Sequence, residues 1–90
     1  MITLSDAKIL SAAIRAGRGA LNWSQNELAE KAGTALPTVA RIEAGITSPK
    51  VHTLSLLITA LEKGGVSFDW THPNGFGLKV TLSKKSVGKT

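Results

Sequence analysis

The chain has 90 residues, 42% of them hydrophobic, which is enough for one compact core and too little to divide between two. It contains no cysteine, so disulfides and thiolate metal sites are excluded and packing alone must hold the fold. The net charge is +5, but setting aside Lys84, Lys85 and Lys89 leaves 8 of the 11 basic residues against 6 acidic ones, or +2, so charge alone says little about a nucleic-acid partner.

Ser5 and Asp6 open the first predicted helix, with a hydroxyl to cap it and an acid in its first turn. Ile9, Leu10, Ala13, Ile14, Gly17 and Leu21 recur at three- and four-residue steps and give it one apolar face as far as about Asn22. Ser24 with Glu27 is a capping box, and Trp23 with Leu28 can staple it. The second helix then runs from about Gln25 to Ala32, with Leu28, Ala29 and Ala32 inward, until Gly33 stops it by taking a positive φ. A third helix is predicted from Leu36 to Ala44, ended by Gly45. Pro37 suits its first turn, where the missing N–H has no helical acceptor. Ile46 to Pro49 is a loop, and a fourth helix spans about Lys50 to Lys63, with Leu54, Leu57, Ile58 and Leu61 at helical spacing and Gly64-Gly65 closing it.

The period then changes from 3.6 to 2. Val66 to Trp70 and Leu78 to Leu82 alternate, and His72 to Gly77 between them is rich in turn residues, Asn74-Gly75 above all. The predicted fold is mostly α, four helices followed by a C-terminal β-hairpin.

Two helices joined by a short turn cross closely only if the crossing residues are small. Ala29 and Gly33 meet that need, while Leu28, Ala32, Val39 and Ile42 share one core with the first and fourth helices. Residues 24–44 therefore read as a helix-turn-helix. The segment WSQNELAEKAGTALPTVARIEAGITSP resembles the phage Cro and repressor type of helix-turn-helix, the xenobiotic response element family. Ser24, Gln25, Glu27, Leu28, Ala29, Gly33, Thr38, Val39, Ile42, Glu43 and Gly45 match its pattern, over about residues 7–63. The expected division is a DNA-binding domain at 1–64, a hairpin at 65–83 and a basic flexible tail at 84–90.

The resemblance implies a sequence-specific transcriptional regulator of double-stranded DNA, a repressor binding a two-fold symmetric operator as a homodimer through the major groove. It implies base reading by Leu36, Pro37, Thr38 and Arg41, and phosphate binding by Ser24, Gln25, Thr47 and Lys50. It also implies a structural ion pair between Arg18 and Glu43. Arg41 has the chemistry to bond guanine O6 and N7, or else to meet a phosphate or a surface acid. Leu36 and Pro37 donate no hydrogen bond, so they pack on thymine methyls or merely fill space. Lys50 meets a phosphate or simply starts a helix. Relatives often carry polar residues at the Leu36 and Pro37 positions, a capping Ser or Thr at Ala35, and an aliphatic residue at Thr34, whose hydroxyl could cap in place of Ala35. The Ala35 departure weakens the third helix by about 1 kcal/mol.

The hairpin carries Phe68, Trp70, Phe76, Val80 and Leu82, more apolar surface than a free ribbon should expose. It is the expected dimerisation element; the alternative is that it packs on the first and fourth helices and completes the core. His52 and His72 have no metal-ligand spacing, and no nucleophile elbow or phosphate loop occurs, so neither enzyme activity, a metal nor another cofactor is expected. The opening MITLSDAK has no signal-peptide pattern and no apolar run approaches the roughly 18 residues of a membrane span. The expectation is therefore a cytoplasmic protein, bacterial or phage-encoded and associated with the nucleoid, with no membrane or small-molecule partner. An antitoxin-type module that neutralises a partner protein and autoregulates is the alternative function; the 26 residues after Gly64, with hairpin chemistry, leave little room for a toxin-wrapping segment.

Overall fold

Four helices precede a two-stranded ribbon in a computed structural model that describes residues 4–46 and 49–81, with side chains from Ala7 onward. In chain order they are α1 (Leu4–Ala20), α2 (Gln25–Ala32), α3 (Leu36–Glu43), α4 (Val51–Gly64), β1 (Val66–Asp69) and β2 (Gly77–Val80). The mostly α architecture with a C-terminal hairpin is the one the sequence predicts.

α1 buries Ala7, Ser11, Ala13, Ile14 and Gly17, whereas Ile9, Leu10 and Leu21 are only half covered. Its inner face is thus turned toward Ser11, a polar residue that the apolar pattern passes over. The helix already includes Leu4, so Ser5 lies inside it and is not its cap, since a cap residue has extended backbone. The side chains of Ser5 and Asp6 lie outside the described residues. α1 stops at Ala20, before the predicted Asn22, because Asn22 takes a φ of 60° and the Trp23 N–H turns back to the Arg18 carbonyl at 3.0 Å.

The capping box of α2 is formed on both sides. The Glu27 N–H donates to Ser24 Oγ at 3.0 Å, and the Ser24 N–H donates to Glu27 Oε1 at 2.8 Å. Gly33, at a φ of 71°, ends the helix and sends the Thr34 N–H to the Ala29 carbonyl at 2.9 Å. α3 begins after Ala35 with no side-chain cap, and the Thr34 hydroxyl does not substitute for one: it is buried without a hydrogen-bond partner. α3 ends at Glu43, one residue before the predicted Ala44, with Gly45 at a φ of 70°.

Leu57, Ala60 and Leu61 of α4 close the core formed by Ile14, Leu28, Val39 and Ile42. Where α4 ends, Gly64 passes so close to the corner between α1 and α2 that a Cβ there would sit 2.7 Å from Leu21 Cδ1 and from Trp23 Cη2. Gly65 follows at a φ of 119° and accepts the Thr81 N–H at 2.7 Å, which starts the antiparallel pairing.

In that pairing Val66 faces Val80 and Phe68 faces Leu78. Both strands end earlier than predicted. Asp69 Oδ1 accepts the N–H and the hydroxyl of Thr71 at 2.9 and 2.7 Å, a side-chain turn that leads the chain out of the ladder before Trp70. The two Thr71 donors, and the nearby His72, hold the Asp69 carboxyl below the usual carboxylate range. Val66 is buried in the core, and Phe68 lies against Gly17, where a Cβ would be 3.1 Å from Phe68 Cζ. Trp70 stacks on Phe68 with centroids 5.1 Å apart, and Phe76 meets Phe68 edge-on at 6.3 Å. The hairpin therefore packs on α1 and α4 and completes the core.

Thr34→Val removes an orphaned hydroxyl while keeping the side chain's shape, and should stabilise the fold by about 1 kcal/mol in chemical denaturation. Gly64→Ala should lower the melting temperature, because overpacking of about 1–3 kcal/mol against Leu21 and Trp23 outweighs the roughly 1 kcal/mol gain in helix propensity.

Candidate nucleic-acid interface

Glu43, the last residue of α3, is 3% exposed. A carboxylate so placed must be fully matched by donors. Arg18 Nε donates to Oε2 at 2.7 Å and Arg18 Nη2 to Oε1 at 2.8 Å, a two-point grip of guanidinium on carboxylate. The amide nitrogen of Gln25 donates to the same Oε1 at 3.0 Å, and Arg18 Nη1 donates to the Trp23 carbonyl at 2.9 Å. Hydrogen bonding to Glu43, opposed by burial and aided by its charge, raises the Arg18 pKa above its already high ordinary value. One ion pair thus joins the end of α3 to α1 and to the start of α2.

The main chain of Glu43 is held as well. Its carbonyl accepts the Ser11 hydroxyl at 2.5 Å and also Arg15 Nη1, which bonds Ser11 Oγ at 2.5 Å. Ser11, Arg15 and Arg18 stand at steps of four and three along α1, so one face of that helix delivers all three. Their hydrogen and charge reach the negative end of the α3 dipole, where a cation is favoured. Sequence reasoning missed Ser11 and Arg15. The available signal was a serine on the inward stripe of α1 with an arginine one turn later.

This anchoring leaves the opposite face of α3 in solvent. Pro37, Arg41, Ala44 and Leu36 are exposed, the last at 41%, while Thr38 and Ala40 are half-buried and Val39 and Ile42 are inside. The four predicted reading positions, Leu36, Pro37, Thr38 and Arg41, accordingly share one short helix, with Thr38 the least open of them.

At the start of α2 the donors are already partly committed. The Ser24 N–H is bonded to Glu27 and its Oγ accepts from Glu27, so only the hydroxyl's own hydrogen is left to donate outward. The N–H groups of Gln25 and Asn26 stand at the helix's positive end. Gln25 spends one amide hydrogen on Glu43 and keeps a second. Lys50 is exposed at the cap position of α4 and makes no capping bond there. Thr47 lies outside the described residues, as does Leu82. Phe68 is half-buried against the core, whereas Trp70 and Val80 are exposed at 44% and 38%. Among the described residues no group of three or more His, Cys, Asp or Glu is placed to hold a metal ion, and no helix is long and apolar enough to cross a membrane.

A family model described as helix-turn-helix matches residues 14–70, from the middle of α1 to just past β1. The chain belongs to the helix-turn-helix family of the Cro and repressor type. Its members are DNA-binding regulators, and that is the class of this domain. The match extends into the hairpin, past the resemblance in sequence that ends near Lys63. None of the curated proteins compared with the chain matches it.

The two arginines around Glu43 should differ sharply when removed. Arg18→Ala leaves a buried carboxylate short of donors and should cost about 3 kcal/mol, whereas Arg15→Ala, at an exposed position, should cost about 1 kcal/mol. Urea denaturation of the two variants beside wild type compares them.

Proposed function

We propose that the chain is a transcriptional repressor that binds a two-fold symmetric operator as a homodimer, each protomer laying α3 in a major groove. The observation that carries this reading is the junction at Glu43, which fixes an exposed helix face and the open N-terminus of α2 as one rigid unit. A groove-reading helix needs a backbone-gripping partner in fixed register, because phosphate contacts position and base contacts specify.

In this reading Arg41 donates two hydrogen bonds to a guanine, with Leu36, Pro37 and Thr38 beside it at the base edges. The second amide hydrogen of Gln25, the Ser24 hydroxyl and the free N–H groups at the start of α2 receive a phosphate. Thr47 and Lys50 meet further backbone phosphates. Arg18 and Glu43 touch no DNA and set the angle between the two helices.

One such domain covers only one half-site, which is too little surface for tight specific binding. Two protomers would place their reading helices about 34 Å apart, one turn of DNA. Trp70 and Val80 on the hairpin, together with Leu78, support residues 65–83 as the contact between protomers, since each remains more than a third exposed after the fold is complete. Phe68 contributes from beneath, by holding Trp70 in its stack. Leu82 and the basic segment 84–90 lie outside the described residues. Such a protein works in the cytoplasm, on the nucleoid.

Selection from randomised duplexes followed by fluorescence polarisation at two salt concentrations tests the reading. Wild type should enrich a two-fold symmetric site, and Arg41→Ala should cost about 1–3 kcal/mol while relaxing preference at one base pair per half-site. Lys50→Ala should instead weaken all sequences alike and reduce the slope of log K against log salt by about 0.9. Weak, sequence-indifferent binding lost at moderate salt would put a protein-neutralising, antitoxin-like role in its place.

A further inference from the structure

The solvent face of α3 is unusually poor in hydrogen-bond donors. Pro37 and Arg41 stand one turn apart at its centre, Leu36 and Ala40 flank them on one side, and Ala44 continues the row. Of these only Arg41 has a polar side chain. Thr38, on the other flank, is half-buried, and Leu36, at the first helical position, keeps 41% of its large apolar side chain in solvent. The N-terminal turn of a groove-reading helix lies nearest the base edges. The one apolar group that a base pair presents in the major groove is the C5-methyl of thymine.

We infer that the half-site of this protein pairs one guanine, bound by Arg41, with thymines whose methyl groups pack on Leu36 and Pro37. The inference rests on the major-groove reading proposed above. Spacing follows from the helix: Pro37 and Arg41 lie about 6 Å apart along its axis, so the thymine contact lies within about two base pairs of the guanine. Discrimination at the thymine positions is then a matter of apolar contact with a methyl, not of hydrogen bonding.

Deoxyuridine separates these two, because it lacks only the methyl and keeps every hydrogen-bonding group of thymine. With the selected operator, deoxyuridine is placed at each thymine in turn and affinity is measured for wild type, Leu36→Ala and Pro37→Ala. Both positions are exposed, so both variants should fold, which circular dichroism checks. Wild type should lose about fourfold in affinity at one or two thymines, each within about two base pairs of the guanine at which Arg41→Ala loses its preference. At least one of the two variants should bind the thymine and deoxyuridine duplexes alike at that position. A selected operator on which no deoxyuridine matters, or a loss that persists undiminished in both variants, overturns the inference and leaves the major-groove reading standing. A wild type that selects no symmetric site overturns both.

Discussion

Taking a carboxylate out of water costs several kcal/mol unless its oxygens are matched, and Glu43 is matched by Arg18 at two points and by Gln25 at a third. The carboxylate and its two partners come from three different helices. Neither α2 nor α3 is long enough to be stable alone, at eight residues each, so their mutual angle depends on what they share. They share a small apolar core of Leu28, Ala29, Ala32, Val39 and Ile42 and, at its edge, this one polar junction. The core makes the helices adhere; the directional bonds at Glu43 choose one arrangement among the several that packing alone would permit.

The hairpin follows from the same shortage of core. Leu57, Leu61 and Ile14 leave an open side between α1 and α4, and Val66 and Phe68 fill it, with Gly17 making room for the Phe68 ring. A two-stranded ribbon is marginal alone, and here half of its apolar face is committed to the domain it follows. The other half, Leu78 and Val80, stands opposite those same two residues across the ladder and stays partly in solvent. The first strand thus fills the core, while the second keeps part of its apolar surface in solvent.

Much of this was legible from residue spacing. Helical periodicity and the Ser24–Glu27 pair located α2 to the residue, and glycine at Gly33, Gly45 and Gly65 marked turns that do take positive φ. The outward residues of α3 could be read because Val39 and Ile42 point in. What escaped has a common cause: side-chain hydrogen bonds over long sequence separations, or turns closed by a side chain. Ser11 goes unremarked among the apolar positions of α1 until the Glu43 carbonyl is seen above it. Asp69 ends β1 through its bonds to Thr71, which alternation cannot reveal. The Thr34 hydroxyl looked able to cap α3, yet the turn points it into the protein without a partner.

Ser11 and Arg15 grip a peptide carbonyl, a group present whatever side chain α3 carries, and the Glu43 carboxylate lies on the buried side. The anchoring of α3 therefore makes little demand on the exposed positions 37, 41 and 44. Those three can be exchanged together without loosening the helix from its seat. The fold behaves as a socket that keeps its grip while the bit is changed, so the exposed face of α3 can be rewritten at little risk to folding.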